Sequence, residues 1–153
     1  MGSYKHPGNL ISMKCTDALD AAGYILKLTD ENTVAKCGAN DLPFGVALTS
    51  TKDPITGTAQ SNQYVSIVTE GIVEVKLSDS NSAISVGDYI GVTTGGVADK
   101  VTIDTTDVST LAASYKKIIG IALEAVDANS GGTIKVLSLI HISEPTRPLY
   151  ISY

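Results

Sequence analysis

The chain has 153 residues, of which 43% are hydrophobic and 18% charged, with 11 Lys plus Arg against 16 Asp plus Glu and a net charge of −5. A chain this long buries roughly two-thirds of its unfolded surface, enough for one domain without metal or disulfide scaffolding. The sparse, acidic charge argues against a nucleic-acid partner, and no apolar run approaches the ~20 residues of a membrane helix.

Residues 1–16 read as an N-terminal arm. Met1 to Gly8 lacks the apolar stretch of a signal peptide. Gly2 is followed by Lys5 and His6 where a myristoylation signal needs Ser or Thr. From residue 17 to 136 the chain reads as a β domain, with short strands separated by Gly, Asp, Asn and Thr clusters. Strands are predicted at Tyr24–Leu28, Val34–Cys37 and Phe44–Leu48. Gln63 to Glu70 and then Ile72 to Leu77 alternate, the second with Val73, Val75 and Leu77 inward and Glu74 and Lys76 outward. Gly71 between them offers no two-residue turn, which predicts a bulge or corner in one long bent strand.

Further strands are predicted at Tyr89–Val92, Val97–Ile103, Ile118–Val126 and Thr133–Val136. Gly95-Gly96 forms a hairpin turn between the first two. Ile118–Val126, apolar on both faces, reads as a central strand buried on both sides. Asp107–Tyr115 is the one predicted helix, with Asp107 as its cap.

An internal repeat runs through these elements. Gly23-Tyr24-Ile25-Leu26, Gly45-Val46-Ala47-Leu48 and Val65-Ser66-Ile67-Val68 are echoed by Gly87-Asp88-Tyr89-Ile90, Gly120-Ile121-Ala122-Leu123 and Thr133-Ile134-Lys135-Val136. This is either a duplication inside one domain or converged β composition.

No constellation for chemistry emerges. Outside the C-terminal stretch, His6 is the single histidine, in a terminal segment that suits no catalytic triad. Cys15 and Cys37 lack C-x-x-C spacing and, with one His, cannot build an ordinary zinc site. They read as small packing residues, with a disulfide as the second reading. Gly91 to Gly96 lacks the Lys and helix of a phosphate loop. Asp79 to Ser82 lacks the Gly and Glu of a calcium loop. Lys100, after Gly87-Asp88-Tyr89-Ile90, has a partial likeness to the modified Lys of lipoyl or biotinyl carrier domains, but it falls in a strand and not on the turn. No catalytic, cofactor-binding or metal residues are assigned, no cofactor is expected, and the chain is not read as an enzyme.

Leu137 to Arg147 resembles the in-frame translation of a transposon-type sequencing-library adapter. Pro148-Leu149-Tyr150 follows as a barcode and Ile151-Ser152-Tyr153 as the next adapter segment. Residues 137–153 are therefore read as a non-native tail on a chain assembled from environmental sequence, and are set aside in fold reasoning.

Five segments, in this order, carry a family likeness: Phe44-Gly45-Val46-Ala47-Leu48; Val68-Thr69-Glu70-Gly71-Ile72-Val73-Glu74-Val75; Ile84-Ser85-Val86-Gly87-Asp88-Tyr89-Ile90; Ile119-Gly120-Ile121-Ala122-Leu123-Glu124; and Gly132-Thr133-Ile134-Lys135-Val136. They resemble the capsid cement, or head decoration, proteins of tailed bacteriophages, over about Ala22 to Val136. The resemblance implies an all-β subunit, a compact β-barrel or β-sandwich, commonly a trimer, that docks on the major capsid protein outside an expanded head. It also implies assembly in the host cytoplasm and a place on the capsid exterior, with no membrane or nucleic-acid partner. The rival from another class is a non-catalytic carbohydrate- or host-binding module of a fibre or cell surface, which should gather aromatic rings on one concave face.

Overall fold

The alternation on either side of Gly71 does produce one strand. The structure, a computed structural model, describes residues 6–138, and within them the chain forms β1 (His6–Cys15), β2 (Ile25–Asp30), β3 (Thr33–Lys36), β4 (Gly45–Ala47), β5 (Gln63–Lys76), β6 (Tyr89–Thr93), β7 (Val97–Lys100), α1 (Val108–Lys116), β8 (Ile118–Ala122) and β9 (Thr133–Ser138). Gly71 sits inside β5 at φ 118°, a backbone region open to glycine and strained for a residue with a Cβ.

Strand order is β1-β3-β2-β4-β5-β9-β8-β6-β7, and β1 pairs again with β5. The second pairing closes β1, β3, β2, β4 and the first half of β5 into a five-stranded barrel. The second half of β5 continues through β9, β8, β6 and β7, and a parallel bridge between Leu77 and Ala98 returns this second ring to the end of β5. β5 is therefore a stave of both rings.

The two rings repeat each other bond for bond. In the first, Gly23 N–H donates to Ala47 O (2.8 Å), Ala47 N–H to Tyr24 O (2.8 Å), Leu48 N–H to Ser66 O (2.7 Å), Cys37 N–H to Ile25 O (2.9 Å) and Thr16 N–H to Val34 O (2.9 Å). In the second, Gly87 N–H donates to Ala122 O, Ala122 to Asp88, Leu123 to Lys135, Val101 to Tyr89 and Ser78 to Ala98, each at 2.9 Å. The strand registers agree: Met13 opposes Val65 as Val75 opposes Ile134, and Ala47 opposes Ile67 as Ala122 opposes Val136. The repeat seen in the sequence is thus a structural duplication. Its last segment needs correction by one residue, since Val65 matches Ile134 and Val68 matches Leu137.

Each ring fills its interior with matching positions. Met13, Cys15, Leu26, Val34, Ala47, Val65 and Ile67 line the first, and Val75, Leu77, Ile90, Ala98, Ala122, Ile134 and Val136 line the second. All are buried, as removal of apolar surface from water requires of a core.

Three expectations change. The arm expected over residues 1–16 supplies β1, which lies antiparallel to β5 from His6 to Cys15. Pro7, Gly8 and Asn9 hide the alternation at its start, and register shifts fall there. The strand expected over Ile118–Val126 ends at Ala122. A bulge opposite Ile90 and Gly91 breaks the alternation, so Ile119 and Ala122 are buried while Leu123 is exposed. The strand expected to reach Ile103 ends at Lys100. β9 runs two residues past Val136 to Ser138; the rest of the adapter-like stretch, 139–153, lies outside the described residues.

The Gly95-Gly96 turn and the Asp107 cap both form. Gly95 and Gly96 take φ of 85° and 77° between β6 and β7. Asp107 Oδ1 accepts from Thr110 N–H at 3.0 Å, while Thr110 Oγ1 faces the Asp107 N–H at 3.4 Å. This reciprocal pair is a capping box built with Thr.

Candidate docking surfaces

The junction between the rings shows what kind of contact this fold makes. The outward face of the first ring carries Ile25, Cys37, Val46 and Val68, and all four are buried in the same apolar cluster as the second ring's interior. Two backbone hydrogen bonds cross the junction, Ile25 N–H to Gly96 O at 2.7 Å and Lys76 N–H to Gly23 O at 2.9 Å. What meets the first ring's side is one end of the second ring, where Val73, Val92, Ile119 and the β6–β7 turn lie.

Tyr24 marks this junction. Its hydroxyl donates to Asp20 Oδ1 at 2.6 Å. Lys36 Nζ lies 4.5 Å and Lys76 Nζ 5.8 Å from its ring centroid, one Lys from each ring of strands, within reach of a cation–π attraction. Burial, then the Asp20 carboxylate, push the phenol up to about 12. The hydrogen bond from Tyr24 in turn lowers the Asp20 carboxyl below its usual range.

An open cleft of about 520 Å³ lies at the far end of the first ring, between Lys27–Thr29 and Asp41–Phe44. At its rim Lys27 Nζ pairs with Asp41 Oδ2 at 2.9 Å, and Asp41 also accepts from Gly38 N–H. The hydrogen bond to Lys27 lowers the Asp41 carboxyl, and the same bond raises Lys27. Both groups are solvated, so the pair orients the 38–43 loop more than it stabilises the fold.

The positions weighed for chemistry fall in structural roles. Lys100 ends β7 opposite Ile90, with Nζ 3.6 Å from Asp88 Oδ2, and does not stand on a turn. Gly91 lies in β6 under the Lys117 carbonyl, in a hairpin and not before a helix. Cys15 and Cys37 are free and buried, which removes the disulfide reading. Burial pushes both thiols up, Cys37 to about 11. The His6 side chain lies outside the described residues. Among the described residues no group of three or more His, Cys, Asp or Glu is placed to hold a metal, and no helix is long and apolar enough to cross a membrane.

Asn81 is the residue that sequence reasoning missed. It lies inside the stretch weighed as a calcium loop, and it is 1% exposed. Its Nδ2 donates to Ser82 O (2.7 Å) and Asp127 O (3.0 Å), and its Oδ1 accepts from the Ser130 (3.0 Å) and Gly131 (2.9 Å) N–H groups. All four bonding directions of the amide are used, clipping the 78–82 turn to the 127–131 loop. No local pattern announces this, because the partners are up to 50 residues away.

Among the described residues aromatic rings do not gather: Tyr64, Tyr89 and Tyr115 are exposed on β5, β6 and α1, and the cleft at the far end of the first ring holds one ring, Phe44.

No protein-family model and no curated protein matches the chain. Among solved structures, it is similar to the head fiber gp8.5 N base of bacteriophage phi29, with a TM-score of 0.54 and 16% sequence identity, over 85% of this chain and 92% of that one. At that identity the likeness is one of fold.

Proposed function

We propose that the chain is a structural virion protein that binds the outside of a phage head and stabilises the shell, with the major capsid protein as partner and a homotrimer as its working form. The observation that carries this reading is the fold shared with a phage head fiber base over most of both chains. It agrees with the cement-protein resemblance carried by five ordered segments of the sequence. The site chemistry is compatible: the polar groups singled out are engaged in clips and caps, and the far end of the first ring leaves Leu28 and Leu42 exposed beside its cleft.

Cementing is multivalent. Each subunit's modest footprint gains from the effective concentration set by its neighbours, so many weak contacts hold a shell that one would not. The same fold also suits the base of a fibre standing on the head, a reading favoured by the likeness to the phi29 head fiber base. In both cases the chain grips an assembled surface and turns over no substrate.

The test mixes the purified protein with expanded capsids of the virus that encodes it, and measures binding and the shell's disruption temperature. Saturable binding with a raised disruption temperature is the cement outcome, and saturable binding without it is the fibre-base outcome. A protein that ignores capsids and binds a defined glycan belongs to the adhesion class instead.

A further inference from the structure

The duplication leaves each half of the internal junction in a second, unused copy. The first ring's buried outward face, Ile25, Val46 and Val68, corresponds in register to Tyr89, Ile121 and Leu137 on the second ring. Ile25 is 0% exposed and Tyr89 46%, while Ile121 and Leu137 are half-buried. Leu48, packed against the junction, corresponds to Leu123, which is exposed.

The other half repeats too. The second ring's docking end, Val73 and Val92, corresponds to Ile11 and Leu28 at the cleft end of the first ring. Val73 and Val92 are 1% and 2% exposed, Ile11 and Leu28 41% and 49%. Among the described residues, therefore, nothing fills the socket on the second ring or covers the plug on the first.

The geometry points to head-to-tail self-association in which the first ring's free end docks on the outward face of the second ring of another copy, repeating the junction already inside the chain. The occupant is a second copy of this chain, because the surface that fits the socket inside the molecule recurs, in register, at the molecule's other end.

Charge agrees. At the internal junction Tyr24 lies between Lys36 and, from the other ring, Lys76. In the repeat Asp88 replaces Tyr24 and already lies 3.6 Å from Lys100, the counterpart of Lys36. The counterpart of Lys76 is Lys14, so the contact between copies brings the Lys14 ammonium to the Asp88 carboxylate. The backbone is also prepared. Gly87 takes φ 93° as Gly23 takes 101°, with open space where Gly23 meets the Lys76 amide. Lys14 N–H, the counterpart of Lys76 N–H, lies a long 3.4 Å from Asn32 O. Because plug and socket are different surfaces, the contact is heterologous, and in a closed trimer six rings alternate around the axis.

This deepens the self-association proposed above, and its test needs no capsid. Asn32 corresponds to Gly96 and Tyr89 to Ile25, which are hydrogen-bonded neighbours at the internal junction, so N32C on one copy and Y89C on another fall within disulfide reach. Full chains carrying one substitution each are mixed under mild oxidant. A covalent pair is expected from the mixture and from neither variant alone. Leu28→Lys, on an exposed side chain, should weaken self-association at least tenfold by sedimentation, while Ile55→Lys on a distant loop leaves it unchanged. A monomer at all concentrations, a pair from Y89C alone, or an oligomer without the mixed crosslink overturns the interface. Capsid binding measured separately with the same protein then shows whether the proposed function stands without it.

Discussion

Gly45 and Gly120 occupy one position in two rings. A Cβ on Gly45 would run into Ile67 Cγ2 and the Val68 carbonyl, and one on Gly120 into the Leu137 carbonyl and Val136 Cγ1. Ile67 matches Val136 and Val68 matches Leu137, so the same pair of neighbours crowds both glycines, with the side chain nearer at Gly45 and the backbone carbonyl nearer at Gly120. This crowding comes from small barrels, where a short inner stave must pass close under its neighbour. Gly120→Ala should cost about 1–3 kcal/mol, the range of overpacking in a filled core. Gly45→Ala should cost somewhat less, since its nearest obstacle is a side chain and not backbone. Urea unfolding of both variants checks the order.

Asn81→Ala should destabilise by about 2–4 kcal/mol, because it strands the buried Gly131 N–H, the part-buried Ser130 N–H and two carbonyls at once. Asn81→Asp should be no remedy. Its carboxylate still accepts from Ser130 and Gly131 but faces the Ser82 and Asp127 carbonyls with no donor. Urea midpoints of the two variants test this, and an Asp variant as stable as the parent would refute the clip.

Alkali should unfold the protein early. Cys15, Cys37 and Tyr24 all have raised pKa values in the folded chain. A raised folded value means the unfolded chain ionises first, so stability is fully present below the unfolded pKa and is lost as pH rises through the folded one. The loss should begin near the ordinary thiol value of 9.0 and continue toward about 11 for Cys37 and about 12 for Tyr24. Asp20 works the other way, its lowered carboxyl losing its contribution as pH falls. Melting temperature against pH reads the window, and at pH 8 neither thiol should react with a thiol reagent until the chain unfolds.

A chain ending at Ser138 should melt within a degree or two of the full chain, because β9 closes on β5 and β8 by that residue. Differential scanning calorimetry of the two chains tests it. A marked fall would show that residues beyond Ser138 complete the fold.

Much of this architecture was legible where each residue reports its own surroundings. The alternation of Val73, Val75 and Leu77, the paired glycines at 95 and 96, and Asp107 ahead of Leu111, Ala112 and Ala113 act over a few residues, and each element formed. β1 was illegible alone, since Pro7 and Gly8 lie among its first residues and its apolar positions are irregular. Only the comparison of Leu10-Ile11-Ser12-Met13-Lys14-Cys15 with Ile72-Val73-Glu74-Val75-Lys76-Leu77 exposes it, position by position. The docking surfaces were beyond reach for a different reason. Tyr89 and Ile25 look equally strand-like, and only burial separates the one that is covered from the one that is not.

The shared strand has a topological consequence. Pro7 and Ser138 are both register partners of Gly71, on opposite flanks of β5. Two strand spacings put them about 10 Å apart, although 130 residues of chain lie between. The described backbone is therefore nearly a closed loop, and where it is cut becomes a matter of choice. A short glycine linker from Ser138 back to Pro7, with new ends opened beside the exposed Ile55, should yield a circular permutant with both rings intact.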